Sequence, residues 1–120
     1  MSNAINNKVT FKNKGTNAAA IATSAVLALE NQTSAEKFKN LPHNSFVITN
    51  QSTVCTLFIF LDDYSDVTSP DYVLFPTQTI SVGIEDGVSF TTIFVRNTHS
   101  TTAVEIAELK YNISTIKEGV

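Results

Sequence analysis

From Pro42 onward, short apolar segments recur at a spacing of about ten residues, and turn-forming residues separate them. The segments are rich in Val, Ile, Phe and Thr, which favour β-strands over helices. About six such strands joined by turns are typical of an antiparallel sandwich or a small barrel. We therefore predict an all-β fold, namely an antiparallel β-sandwich of jelly-roll-like or Ig-like type.

Three segments also predict how the strands are covered. Residues 54–61 are apolar on both faces, as expected for a central strand. Residues 80–85 alternate between apolar and polar or small side chains, so one face is buried and the other meets water. In the last strand the apolar side chains change from even positions, such as Val104, to odd positions, such as Leu109. Strand side chains alternate with a period of two, so this change predicts a bulge, a bend or a crossing between sheets near Ala107.

The composition before Pro42 is different and predicts an N-terminal arm in residues 1–40, followed by a β-sandwich domain in residues 41–120. Residues 18–30 are Ala-rich and carry no charge before Glu30. Helical spacing and strand alternation fit this segment equally well. We favour an extended segment docked on another surface, because a surface helix normally shows charged residues on its outer face.

The apolar residues of the arm are the candidate partner-binding residues: Val9, Phe11, Ile21, Val26, Leu27 and Leu29. The alternative is that they complete the protein's own sandwich as an extra strand, and both interpretations stay open. A β-domain of about 80 residues buries only a small core. We therefore expect a homo-oligomer, in which contacts between copies supply further buried surface.

Patterns for catalysis or metal binding are missing from the sequence. Cys55 is the single cysteine and lies in an apolar run, as expected for a small buried side chain. His43 and His99 adjoin turn residues, so we expect both at the surface, and neither a GxSxG nor an HExxH motif occurs. We predict no enzyme activity, no catalytic or metal-binding residues and no cofactor.

Charge and hydropathy exclude two further classes of partner. The formal net charge of −3 gives no electrostatic attraction to nucleic acid. No apolar stretch approaches the roughly 18 residues that a membrane-spanning helix needs. The first residues are polar and lack the apolar core of a secretion signal, so we expect synthesis in a cytoplasm.

An acidic loop is the one cluster of chemically active side chains, and it contains Asp62, Asp63, Asp66 and Asp71. Its spacing departs from that of a calcium-binding EF-hand and it has no glycine, whereas aspartates commonly form turns. Calcium binding by this loop stays open. Tyr64 and Tyr72 flank the loop and indicate an alternative function, a glycan- or surface-binding module of adhesin type, although the chain has no Trp.

Residues 44–53 and 57–63 read as Asn-Ser, an apolar stretch, Asn-Gln-Ser-Thr, a second apolar strand and an acidic turn. A polar turn then follows, and after it a strand that ends in the phrase at residues 85–90. Over residues 41–113 this arrangement resembles small β-rich virion proteins of tailed bacteriophages. The resemblance implies a non-enzymatic structural subunit in a capsid-decoration, head-fibre, neck or tail position. It also implies assembly in the host cytoplasm, location in the virion, and docking on major capsid, portal, neck or tail proteins.

Overall fold

The computed structural model describes residues 8–15, 20–29 and 42–118 of the chain. These residues form eight strands: β1 (Lys8–Gly15), β2 (Val26–Ala28), β3 (Ser45–Asn50), β4 (Leu57–Leu61), β5 (Tyr72–Leu74), β6 (Thr79–Val82), β7 (Ile93–Asn97) and β8 (Leu109–Glu118). Within the described ranges, the helical segments are two 3₁₀ turns, at Ile84–Asp86 and Ile106–Glu108. The prediction of an all-β fold is confirmed.

The strands form two four-stranded sheets, in which every neighbouring pair is antiparallel. The order is β1-β8-β3-β6 in the first sheet and β2-β7-β4-β5 in the second. Consecutive strands mostly lie in different sheets, so the chain passes back and forth between the two layers. We call this pair of facing sheets the sandwich.

One hydrophobic core lies between the two sheets. Phe46 of β3 contacts Tyr72 of β5 across the sandwich, with ring centroids 5.8 Å apart, and also contacts Phe90 at 5.5 Å. Burial of each large side chain stabilises the fold by about 1.5–3 kcal/mol. The fully enclosed members of the core include Phe46, Ile48, Leu57, Ile59, Leu74, Phe90, Ile93, Val95, Val104 and Leu109.

The outer face of the second sheet is also apolar near β4. Phe60 is 1% exposed but lies outside the central core, on the opposite face of its strand. It pairs with Phe94 of β7, and Tyr64 from the next loop packs on the Phe94 ring at 4.5 Å. Arg96 Nη1 donates a hydrogen bond to the carbonyl of Val67 at 3.5 Å, which joins the same loop to the sheet. Apolar residues on both faces of β4 are thus covered, one face by the core and the other by a loop.

The described residues of the predicted N-terminal arm, 8–15 and 20–29, pair with other segments of the chain. Strand β1 pairs with β8 over its whole length, and β2 pairs with β7. Ile21 forms a bridge with Val104, in which each amide donates to the other residue's carbonyl, at 2.8 and 2.9 Å. The extended conformation favoured for residues 18–30 is found in residues 20–29, but it docks on the chain's own sheets. The rest of residues 1–40 lies outside the described residues.

The predicted irregularity near Ala107 corresponds to the 3₁₀ turn at Ile106–Glu108. Val104 before this turn is fully buried, and Leu109 after it starts β8 and is also fully buried. Ile106 is 55% exposed, because the turn rotates it away from the core. The bend explains why the apolar side chains change from even to odd positions.

Candidate functional site

The connections between strands lie at two opposite ends of the sandwich. Because neighbouring strands are antiparallel, the connection that enters a strand and the one that leaves it lie at opposite ends. One end, which we call the tied end, consists of residues 20–25, 51–56, 75–78 and 98–108. The other end includes residues 62–71 and 83–92, and we call it the acidic end. The two ends differ in hydrogen bonding and in charge.

A buried asparagine holds two segments of the tied end together. Asn50 is the last residue of β3 and is fully buried. Its Nδ2 donates to the carbonyl of Cys55 at 2.8 Å and to that of Phe75 at 3.2 Å. Its Oδ1 accepts a hydrogen bond from the amide of Ser52 at 3.1 Å. The side chain therefore fixes its own turn and joins it to the β5–β6 connection.

A second buried asparagine repeats this arrangement in the other sheet. Asn97 is the last residue of β7 and is fully buried. Its Nδ2 donates to the carbonyls of Thr102, at 2.9 Å, and Ile21, at 3.2 Å, while its Oδ1 accepts from the amide of His99 at 3.0 Å. One side chain thus joins the β7–β8 connection to the segment that precedes β2. Buried amide groups with several such bonds are costly to replace.

Additional contacts close the tied end. The hydroxyl of Thr98 donates to the carbonyl of Thr56 at 2.7 Å. Cys55 is fully buried, as predicted, and its Sγ donates to the carbonyl of Thr102 at 3.4 Å. His99 Nδ1 accepts hydrogen bonds from the amides of Thr101 and Thr102 at 3.1 and 2.9 Å. Because hydrogen bonds join the four connections, they form one ordered surface.

The surface of the tied end is nearly uncharged and exposes three large apolar side chains. Val54, Phe75 and Ile106 are 52%, 57% and 55% exposed, and they are the three most exposed large hydrophobic residues among the described residues. Glu105 and Glu108 are the only charged residues in the ranges that define this end. The centres of protein interfaces are depleted in charge and well packed. The tied end is therefore a candidate docking surface.

The acidic end uses its aspartates to form turns. Asp62 adopts a left-handed conformation with φ of 66°, and its Oδ1 accepts hydrogen bonds from the amides of Thr91 and Thr92 at 2.7 and 2.9 Å. Asp71 Oδ2 accepts from the amide of Leu61 at 2.7 Å. The hydrogen bonds of Asp62 and Asp71 attach the loop to neighbouring segments of the fold.

Asp63 and Asp66 form local turns within the same loop. Hydrogen bonds from Ser65 lower the pKa of the Asp63 carboxyl, and those from Thr68 and then Ser69 lower the pKa of the Asp66 carboxyl. Among the described residues, no three His, Cys, Asp or Glu side chains are grouped so that they could hold a metal ion. The structure therefore gives the aspartates of the acidic loop a turn-forming role.

His43 corrects one prediction, since it is 2% exposed and not at the surface. It forms a bridge with Phe90, and the two rings lie 5.7 Å apart. Burial lowers the pKa of the imidazole, and the negative charge of Asp62 acts in the opposite direction. The turn-like neighbours of His43 misled the prediction, because its burial depends on a pairing with a distant part of the chain. His99 is half-buried.

The two tyrosines beside the acidic loop do not form a common surface. Tyr72 packs against Phe46 in the core, and burial followed by the charges of Asp86 and Asp71 raises the pKa of its hydroxyl. Tyr64 lies on the outer face of the second sheet and is 42% exposed. A stacking platform for a sugar that uses both rings is therefore not present.

The predicted partner-binding residues are distributed over the sandwich. Ile21 and Leu29 are 1% and 4% exposed and belong to the hydrophobic core. Leu27 packs against the same core, whereas Val26 pairs with Arg96 on the outer face. For Val9 and Phe11 the described backbone gives the pairing partners in β8, which are Lys117 and Thr115.

The sequence alone does not single out Asn50 or Asn97 as functional residues. The available signal is an asparagine at the end of an apolar strand, with Ser or Thr within the next two residues. That signal indicates a turn, but the bonds to other connections depend on the three-dimensional arrangement.

No family model matches the chain, and no curated protein or solved structure matches it either. None of the helices in the described residues has the length and apolar character to cross a membrane. The function has to be inferred from the sandwich and its surfaces.

Proposed function

We propose that this chain is a non-enzymatic structural subunit that acts by assembly, and that its sandwich is a jelly roll. The observation that supports this best is the strand pairing. Strand β1 pairs with β8, β2 with β7, β3 with β6 and β4 with β5. This is the pairing of one long antiparallel ribbon that has been folded over into two sheets. Eight-stranded jelly rolls with two Greek keys are recurrent in viral capsid and lectin domains.

The identity of the particle is part of the same proposal. The resemblance to virion proteins of tailed bacteriophages supports a place in a virion, as a decoration, head-fibre, neck or tail component. Partners would then be major capsid, portal, neck or tail proteins and further copies of this chain. A fold alone does not imply a function. Support from the surface comes from the tied end, where Val54, Phe75 and Ile106 are exposed on hydrogen-bonded connections.

The proposal is tested by electron microscopy. Virions released from cells that carry the native gene would be labelled with gold-conjugated antibodies against the chain. We expect gold on intact particles, at one type of position. Purified virions that contain the major structural proteins but neither bind the antibody nor yield this chain on denaturation would contradict the proposed role.

A glycan-binding module is the second candidate, and one observation favours it. The ring of Tyr64 is 42% exposed, packs on Phe94, and lies in the chain between the turn-forming Asp63 and Asp66. A glycan array with the wild-type chain and the Tyr64→Ala variant separates the candidates. Binding of a defined sugar that the substitution abolishes would favour the module. Identical, weak signals from both proteins would favour the structural subunit.

A further inference from the structure

Basic and acidic residues are concentrated on different strands and connections of the sandwich. Five of the six Lys and Arg residues within the described ranges lie on the neighbouring strands β1 and β8: Lys8, Lys12, Lys14, Lys110 and Lys117. Glu118 is the only acidic residue on these two strands. We call β1 and β8 the basic ribbon. It forms one border of the first sheet, because β1 is an edge strand and β8 is its neighbour.

The acidic residues lie near the other border. Six of the nine Asp and Glu residues in the described part of the chain belong to the acidic end: Asp62, Asp63, Asp66, Asp71, Glu85 and Asp86. Residues 62–71 lead into β5, the edge strand of the second sheet, and residues 83–92 follow β6, the edge strand of the first. The two edges adjoin each other, since only residues 75–78 connect β5 to β6. Neither of the two acidic segments contains a Lys or an Arg.

We propose that a second copy of this chain docks its basic ribbon against the acidic end, and that this contact repeats from copy to copy. The inference rests on the proposed role as a self-assembling subunit and names the surfaces that associate. Opposite charges on opposite borders favour side-by-side association, whereas like borders repel each other. Such complementarity speeds encounter and fixes the orientation of the partners. A contact between two different surfaces is heterologous, so it closes into a ring or extends into a filament.

The strand directions are compatible with this arrangement. In the first sheet, β1 is antiparallel to β8, β8 to β3, and β3 to β6. Strand β6 therefore runs antiparallel to β1. When a second copy is translated across the sheet, its β1 lies beside β6 of the first copy in antiparallel orientation. β1 has eight residues, whereas the edge strands β2, β5 and β6 have three, three and four. A long edge strand offers more backbone groups for pairing with a neighbouring chain.

The test is sedimentation velocity of the full chain over a range of concentrations. The salt concentration is raised from about 0.02 M to about 0.5 M NaCl, which shortens the Debye length from roughly 20 Å to roughly 4 Å. We expect concentration-dependent oligomers at low salt and a dissociation constant at least about tenfold higher at high salt. A chain that stays monomeric at low salt, up to high micromolar concentration, would overturn the inference.

Charge reversal identifies the surfaces. One variant carries Lys12→Glu and Lys14→Glu in the basic ribbon, and the other carries Asp63→Lys and Glu85→Lys at the acidic end. The first variant brings the net charge of the ribbon from +4 to 0, and the second brings that of the acidic end from −6 to −2. Each variant alone should therefore associate more weakly than the wild type at low salt. In an equimolar mixture, the unchanged ribbon of the second variant meets the unchanged acidic end of the first, so one-to-one pairs should form. Circular dichroism spectra and melting curves establish that both variants are folded. Failure of the mixture to associate, with both variants folded, would refute the pairing of these two surfaces.

A matched control places the same change of charge at the tied end, with Glu105→Lys and Glu108→Lys. This variant should associate like the wild type. Oligomers that survive high salt and both charge reversals, but are lost in a Phe75→Ser, Ile106→Ser variant, would overturn the inference and leave the proposed structural role in place. Absence of the chain from virions, in the microscopy experiment above, would instead contradict the structural role.

Discussion

The two ends of the sandwich are built by opposite means. At the tied end, Asn50 and Asn97 are fully buried, and their amide groups join separate connections to one another. At the acidic end, Asp63 and Asp66 are exposed, and each accepts hydrogen bonds from the turn that immediately follows it. Buried polar groups are strongly coupled to stability, whereas exposed ones compete with water. The tied end should therefore govern folding, and the acidic end can vary in charge at little cost.

The largest expected effect is that of Asn97→Asp. The substitution keeps the shape but replaces the Nδ2 donor with a carboxylate oxygen facing the carbonyls of Ile21 and Thr102. We expect a loss of about 3 kcal/mol or more, because a buried charge is left among acceptors. Urea unfolding measures the change in the free energy of unfolding.

The matched control is Asp66→Asn, the reverse exchange at the acidic end. It should change stability much less than Asn97→Asp does, since Asp66 is exposed and its turn lies within one loop. Equal losses in the two variants would show that the distinction between the ends is wrong.

The second effect depends on pH and on His43. Burial lowers the pKa of the His43 imidazole in the folded state. Below the unfolded value of about 6.5, the unfolded chain therefore binds a proton at His43 more readily than the folded chain does. Stability is therefore complete above about pH 6.5 and falls as the pH decreases toward the folded pKa. The expected slope is about 1.4 kcal/mol per pH unit between the two pKa values. Asp62 is the charge that opposes this shift.

Unfolding measured from pH 8 to about pH 5 in wild type and in the His43→Gln variant tests this prediction. The variant should lose most of the slope in this window. Asp63 and Asp66 have lowered pKa values, so their contributions are lost only at more acidic pH, below the ordinary carboxyl value. A wild-type chain whose stability is constant over the window would contradict the role assigned to His43.

A smaller effect is expected for Asp62→Ala, which sharpens the comparison because Asp62 is the one aspartate that joins two segments of the acidic end. The change removes the acceptor for the amides of Thr91 and Thr92 and places Ala at a φ of 66°. We expect a loss of about 1–2 kcal/mol. Asp62→Asn retains an acceptor and tolerates this conformation, so it should recover most of the stability. Equal losses of stability in Asp62→Ala and Asp62→Asn would show that the hydrogen bonds from Thr91 and Thr92 contribute little.

The smallest effect on folding is expected for Ile106→Ser at the surface of the tied end. Ile106 is 55% exposed, so its replacement should change the free energy of unfolding by no more than about 0.5 kcal/mol. Val104→Ser, two residues earlier and fully buried, is the contrasting variant and should lose several times as much. Thermal denaturation of both proteins measures the difference. A large loss in Ile106→Ser would show that this side chain belongs to the core.

Much of the fold was predictable because alternation is a local property of a strand. The strands around Phe46 and Ile93 lie where β-branched and aromatic residues cluster, and the change of periodicity near Ala107 correctly indicated a bend. The candidate surfaces were less predictable. The neighbours of His43 are typical of a turn, and the apolar pattern around Ile21 and Leu29 fits a docking arm and an extra strand equally well, because nothing local indicates which distant strand will cover these residues.

Local patterns in the chain are enough to predict the all-β class, the positions of most strands and the turn-forming use of the aspartates, since each depends on residues close together in the chain. The strand order, the inclusion of residues 8–15 and 20–29 in the two sheets, and the burial of His43 follow from the folded arrangement instead. These features depend on hydrogen bonds between distant residues, such as that from Asn97 to Ile21. The same long-range pairing separates the basic ribbon from the acidic end, because it decides which strands become the borders of the sheets.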